Sequence, residues 1–183
     1  SPEELIPQFD YVKDISEQFG FVNIGVANYE ADDVIGTLAK IYSKDNEVHI
    51  VTGDRDILQC INEQVEVWLI RKGFNIYHHY TLNRFNEEYA LHPLQLIDIK
   101  AFMGDSADGY PGVKGIGKKT AIKLIQSYGS VENVLDHIES LTPGQQKKIA
   151  TDKENLILSK QLAEIYTDVP IDTTALYKEM EYN

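Results

Sequence analysis

The sequence has a single cysteine, Cys60, among 183 residues. One thiol cannot form an intrachain disulfide and cannot build a thiolate metal site, so Cys60 is expected to serve as a small buried apolar residue. No apolar run approaches the roughly 18 residues of a membrane span. The opening SPEELIPQFD has neither a basic n-region nor an apolar h-region. These absences point to a soluble, cytoplasmic protein. Internal repeats, low-complexity tracts and flexible linkers are missing too. Positive charge is scarce: 17 Lys and Arg stand against 29 Asp and Glu, for a net charge of -12. That balance opposes phosphate binding overall, so any nucleic-acid contact must come from a local basic stretch.

The rest of the composition, 43% apolar and 25% charged, is ordinary for a folded protein. Leu5, Ile6, Phe9, Val12, Ile15 and Phe19 recur at a helical period. FVNIGVAN, residues 21–28, reads as a short strand. Val34, Ile35, Leu38, Ala39 and Ile41 predict an amphipathic helix with an acidic first turn. VHIVTGD, Val48 to Asp54, has the β-branched character and length of a buried parallel strand. VEVWLI and FNIYHHY flank RKG and predict two further strands as a hairpin, with His78 and His79 as ordinary strand residues on opposite faces. Beyond Thr81 the pattern predicts helices over about 81–90, 93–103, 117–127, 130–138, 143–150 and 152–166. The expected fold is therefore an α/β part over residues 1–91, followed by a helical subdomain over 92–183.

Three acidic clusters fall at the ends of these elements. In YEADD, Glu30 and Asp33 share a helix face with Asp32 beside them, where the helix dipole favours negative charge. In TGDRD, Asp54 and Asp56 stand at the carboxyl end of a strand, where open α/β sheets bind ligands. In GDSADG, Asp105 and Asp108 close a helix. A calcium loop over DRDILQCINE is excluded, because Leu58 and Gln59 occupy the places of an oxygen ligand and a glycine. Each cluster alone reads as caps and turns. Together, seven carboxylates form an oxygen-only ligand set suited to two hard ions, magnesium or manganese. Without metal the cluster repels itself, so some carboxyl pKa values rise and bound ions stabilise the fold. Two ions about 4 Å apart can clamp the attacking water and the leaving oxygen of a phosphodiester.

Between Gly109 and Val131 the chain has no acid but carries Lys114, Lys118, Lys119 and Lys123. Gly112, Gly115 and Gly117 let backbone approach a phosphate closely, and the helix that follows through Thr120 offers free N–H groups. The spacing is neither that of a P-loop nor that of a dinucleotide fingerprint. It resembles a helix-hairpin-helix, which grips duplex backbone without reading bases.

YEADDVIGTLAK, VTGDRDILQ and FMGDSADGYPGVKGIGKKTAIKLI, in this order and spacing, resemble the 5'-nuclease (flap endonuclease) family. That family comprises the N-terminal domain of bacterial DNA polymerase I, its stand-alone bacterial relatives and the phage 5'-3' exonucleases. The similarity extends through ENLILSKQLAEIYTDVPI. It implies a PIN-like, resolvase-like three-layer α/β/α sheet domain followed by a helix-three-turn-helix subdomain. It also implies hydrolysis of DNA near 5' ends and at 5' flaps, in replication and repair at the bacterial nucleoid. By the same resemblance, Glu30, Asp32 and Asp33 attend a first divalent ion, and Asp54, Asp56, Asp105 and Asp108 surround a second. Gly112, Lys114, Gly115, Gly117, Lys118, Lys119, Thr120 and Lys123 would grip the duplex, with a potassium ion on backbone carbonyls of the hairpin. The sequence departs from the pattern in one respect. Family members begin with an Asp-bearing strand and a basic, aromatic arch that contains another metal-binding Asp, all ahead of the segment matching Ser1. The sheet domain is thus expected to be N-terminally incomplete, with an exposed sheet edge or apolar face. A non-catalytic module binding duplex or junction DNA is the alternative reading. An RNA substrate also stays open, because metal-bound phosphodiester chemistry ignores the 2'-OH unless a side chain reads it.

Overall fold

The computed structural model describes residues 3, 5–71 and 76–180. Three strands, β1 (Val48–Thr52), β2 (Val65–Ile70) and β3 (Tyr77–Tyr80), form one mixed sheet in that order. β1 runs parallel to β2, with Val48 opposite Val65, and β3 returns antiparallel with Tyr80 opposite Val67. The expected hairpin is therefore present, although most of its RKG turn and the Phe74–Asn75 start of the last run lie outside the described residues. Along β2 the pleat sends Val65, Val67 and Leu69 into the core, each at most 1% exposed. On the other face His79 stacks on its register partner Trp68 at 4.0 Å and bonds Glu66 at 2.6 Å, a structural role for this histidine.

Two strand expectations need correction. β1 is parallel but not buried on both faces: only Ile50 is buried and Val51 is 61% exposed, because among the described residues no layer covers the face that Val51 shares. FVNIGVAN forms no strand: among the described residues no segment pairs with residues 21–26, and β-propensity without a partner makes no ladder.

Helices account for most of the remainder: α1 (Ile6–Gln18), α2 (Ala31–Tyr42), α3 (Leu82–Tyr89), α4 (Gln95–Met103), α5 (Lys118–Tyr128), α6 (Val131–Asp136), α7 (Pro143–Thr151), α8 (Lys153–Ala163) and α9 (Thr173–Met180). The periodicity of α1 is as expected, yet Ile6, Phe9, Val12 and Ile15 are each at least half exposed. α9 escaped the periodicity because Leu176 is its one buried residue. α8 stops at Ala163 rather than running to residue 166, since Glu164 turns to an extended conformation. The chain then crosses α2 as a strap. The Tyr166 N–H donates to Asp33, the Val169 N–H donates to Thr37, and Ile165 lies so close to Gly36 that a Cβ there would meet it at 2.8 Å.

One apolar core runs through both parts of the chain, including Ile57 and Leu58 after β1, Phe85 from α3, Phe102 from α4, Ile125 from α5 and Leu156 from α8. Each such side chain contributes about 1.5–3 kcal/mol by leaving water. Polar ties fix the helices around it. Asp98, 7% exposed, accepts from the Val131 N–H and from Lys160 Nζ at 2.8 Å, joining α4 to α6 and α8.

Candidate functional site

Local chemistry explains where each acid sits. Glu30 is the N-cap of α2, with Asp32 and Asp33 in its first turn. Asp33 is already engaged: one carboxylate oxygen accepts from the Glu30 N–H at 3.2 Å and the other from the Tyr166 N–H at 2.9 Å. After β1, Thr52 Oγ1 accepts from the Asp54 N–H and Asp54 Oδ1 from the Asp56 N–H, a pair of side-chain turns that lead into the 3-10 helix Asp56–Cys60. After α4, Asp105 and Tyr110 exchange backbone hydrogen bonds at 3.0 Å in both directions, and Asp105 Oδ1 accepts from the Ala107 N–H. This closes a tight loop that presents Asp105 and Asp108 on the side of Asp56.

The three clusters converge. Asp56, Asp105 and Asp108 each offer a carboxylate oxygen, all within 4.8 Å of one another. A cavity of about 620 Å³ is lined by Glu30, Asp32, Asp33, Asp54, Asp56 and Asp108, with Tyr110, the end of α8 from Gln161 and the strap as far as Tyr166. A second cavity, of about 460 Å³, shares Asp54, Asp56 and Asp108 and is bordered by Arg55, Tyr89, Lys100, Asp105 and Lys118. Burial pushes the Asp32 carboxyl above the usual range, and repulsion from Asp54, Asp56, Glu30 and Asp33 adds to it. Asp56 is also raised, because burial exceeds the opposing hydrogen bond from Lys100. Asp105 is lowered by its own hydrogen bond from Lys100.

Lys100 is the member of the site that sequence reasoning missed. Its ammonium bonds Asp56, lies 3.0 Å from Asp105 Oδ2 and 3.8 Å from Asp108 Oδ2. Burial alone would lower its pKa, but the hydrogen bonds to Asp56 and Asp105 outweigh this and raise it. A signal existed: a lysine inside the apolar run QLIDIKAFM needs an acidic partner. Arg55 was also passed over; its guanidinium donates to Tyr89 Oη at 2.7 Å, and Tyr80 Oη donates to Glu88 nearby.

The lysine stretch begins directly behind the acidic loop. The Gly112 N–H donates to Ser159 Oγ, the Lys114 N–H to Asp152, and Lys148 Nζ to the Gly115 carbonyl. Gly117 is the N-cap of α5, and Thr120 lies half-buried in its first turn. Lys114, Lys118, Lys119 and Lys123 are exposed. Lys118 sits over the Tyr89 ring at 5.6 Å and borders the second cavity, whereas Lys119 and Lys123 line neither cavity. Cys60, outside the site, is half-buried, and burial pushes its thiol up to about 12. No helix among the described residues is long and apolar enough to cross a membrane.

A short α/β sheet bearing carboxylates beyond its strand ends, joined to a helical bundle with a glycine-lysine hairpin, defines a resolvase-like domain carrying a SAM-like one. Residues 1–90 match the 5'-3' exonuclease N-terminal resolvase-like domain, and residues 91–182 match the 5'-3' exonuclease C-terminal SAM fold. The chain belongs to the 5'-3' exonuclease family. It is 50% identical over 173 residues to a 5'-3' exonuclease of Bacillus subtilis, a match that covers 94% of this chain and 58% of that protein. It is 42% identical over 176 residues to DNA polymerase I of Lactococcus lactis, covering 94% of this chain and 20% of the polymerase. The chain thus spans little more than half the length of the one relative and a fifth of the other. Among solved structures, the phage T5 D15 protein co-crystallised with metal ions superposes with a TM-score of 0.77 at 24% identity, over 94% of this chain and 69% of that one. The catalytic core of Rad2 in complex with DNA substrate gives a TM-score of 0.62 at 20% identity, over 94% and 58%. These two likenesses establish the shared fold.

Proposed function

We propose that the protein is a structure-specific 5'-3' exonuclease and 5'-flap endonuclease that hydrolyses DNA phosphodiester bonds in replication and repair. The observation that carries this reading is convergence: acids from three separate stretches line one cavity, and the neighbouring cavity shares three of them with Lys118. The B. subtilis relative named as a 5'-3' exonuclease, the T5 protein crystallised with metal ions and the Rad2 core bound to DNA support it.

The donor set fits hard divalent ions, magnesium or manganese, because every candidate ligand is a carboxylate and an ammonium already stands among three of them. We assign Glu30, Asp32 and Asp33 to one ion and Asp54, Asp56, Asp105 and Asp108 to the other. When bound, such ions supply a water of lowered pKa and charge to offset that developing on the phosphate. The chain's own groups do the rest. Lys114, Lys118, Lys119 and Lys123, with the free N–H groups at the start of α5, hold phosphates of the duplex. The acidic loop and the hairpin share backbone contact at Gly104 and Gly112, so the grip and the cut keep a fixed register. A potassium ion at the hairpin would share the Gly115 carbonyl with Lys148. In this scheme residues 1–91 supply five of the acids, and residues 92–183 supply Asp105, Asp108 and the hairpin.

The test is an end-labelled 5'-flap DNA incubated with the 183-residue chain in manganese and in EDTA, resolved on denaturing and native gels. Cleavage confined to manganese is the expected result. A shifted band with no cleavage in either lane would instead favour the DNA-binding module. An RNA flap run alongside fixes the sugar preference. For the grip, replacing Lys118 and Lys119 together by Ala should lower the salt slope of duplex binding by about two, at roughly 0.9 per phosphate contact. An unchanged slope removes the hairpin from the interface.

A further inference from the structure

Lys100 occupies a place that a cation is meant to take. Its Nζ bonds Asp56 and lies 3.0 Å from Asp105 and 3.8 Å from Asp108, the three carboxylates whose oxygens gather within 4.8 Å. The ammonium and a divalent ion need the same lone pairs. Beside it stands Tyr110, 4% exposed, its ring centroid 5.9 Å from Nζ. The Tyr110 hydroxyl is buried, makes no full hydrogen bond among the described residues and lies near enough to Lys100 to feel its ammonium. Buried hydroxyls are normally paired, so one left without a full hydrogen bond beside the ammonium offers it a second berth.

We propose that Lys100 is a displaceable counter-ion: it holds Asp56, Asp105 and Asp108 together, competes with a divalent ion for them, and on displacement turns its ammonium to the Tyr110 hydroxyl. The inference rests on the metal-dependent reading above. Lys100 and Tyr110 are positioning residues here, acting on the metal ligands. The device keeps the acids assembled when metal is scarce and sets a threshold concentration for loading. It also leaves a positive group beside the loaded site, where a phosphate arrives.

The experiment is a direct manganese titration of the full chain, reading free ion by electron paramagnetic resonance, for the wild type, Lys100→Met, Tyr110→Phe and the double variant. Lys100→Gln repeats the first arm with a polar side chain, and circular dichroism verifies that each variant folds. Lys100→Met should bind one ion about tenfold more tightly, because the competitor is gone. Tyr110→Phe should bind that ion about fivefold more weakly, because the displaced ammonium loses its acceptor, and this effect should vanish in the Lys100→Met background. In EDTA, Lys100→Met should melt at a lower temperature than wild type, as the acids repel without a counter-ion. Unchanged or weaker manganese binding by both Lys100 variants overturns the proposal. So does a Tyr110→Phe effect of equal size in both backgrounds. A wild type that binds no manganese defeats the metal reading as well, whereas one that binds it while the Lys100 variants match it defeats this inference alone.

Discussion

Under the proposed function, replacing Asp108 with Ala is expected to lower cleavage of a 5'-flap DNA by about a thousandfold, a loss of roughly 4 kcal/mol of transition-state stabilisation. Affinity for the same DNA in EDTA stays unchanged or tightens slightly, because a phosphate-repelling charge has been removed. Asp108 suits the measurement better than its neighbours. Its side chain is 54% exposed, it lines both cavities, and it stands 3.8 Å from Lys100. Asp33, by contrast, anchors the cap of α2 and the strap, so its loss would mix folding with chemistry. Single-turnover rates in manganese, with binding measured separately, make the distinction. A rate within tenfold of wild type would remove Asp108 from the metal site.

The second large effect is on stability. Gly112→Ala should destabilise the fold by roughly 3 kcal/mol or more. Its φ of +61 lies in the left-handed region, where a side chain costs about 1–2 kcal/mol. Its Cβ would stand 2.3 Å from the Gly104 nitrogen and 2.7 Å from the Gly104 Cα, backbone that cannot yield cheaply. For a chain of this size the thermal midpoint should fall by about 10 °C. Gly109→Ala is the control: its φ is +80, but the space around its Cβ is open, so only the conformational cost of about 1–2 kcal/mol remains. Equal losses at the two positions would show that backbone crowding between Gly104 and Gly112 contributes nothing.

What could be read in the sequence was local. YEADD, TGDRD and GDSADG each announce themselves as acids at the end of an element, because caps and turns are decided within a few residues. The α4–hairpin–α5 stretch was equally legible, since its glycines and lysines are contiguous. Lys100, Tyr110 and the strap were not, because their meaning depends on what folds against them. The apolar run around Lys100 signals that it needs an acidic partner, but not that the partner is Asp56, 44 residues earlier. FVNIGVAN failed for a related reason: a strand is a property of two segments, and one segment's composition cannot show whether the other is there. The apolar stripe of α1 is another case, since its period fixes a helix but leaves open what the stripe faces.

The strap also sets an order of events during synthesis. Asp33 is held by the Tyr166 backbone, 133 residues later, and Thr37 by Val169, 132 residues later. At a translation rate of about 5–20 residues per second, many seconds separate the emergence of the two partners. Until then the first turn of α2 has its acids without the segment that walls them in. The nascent chain therefore passes through a stage with Glu30, Asp32 and Asp33 open to water, and the pocket is finished only when the strap has left the ribosome.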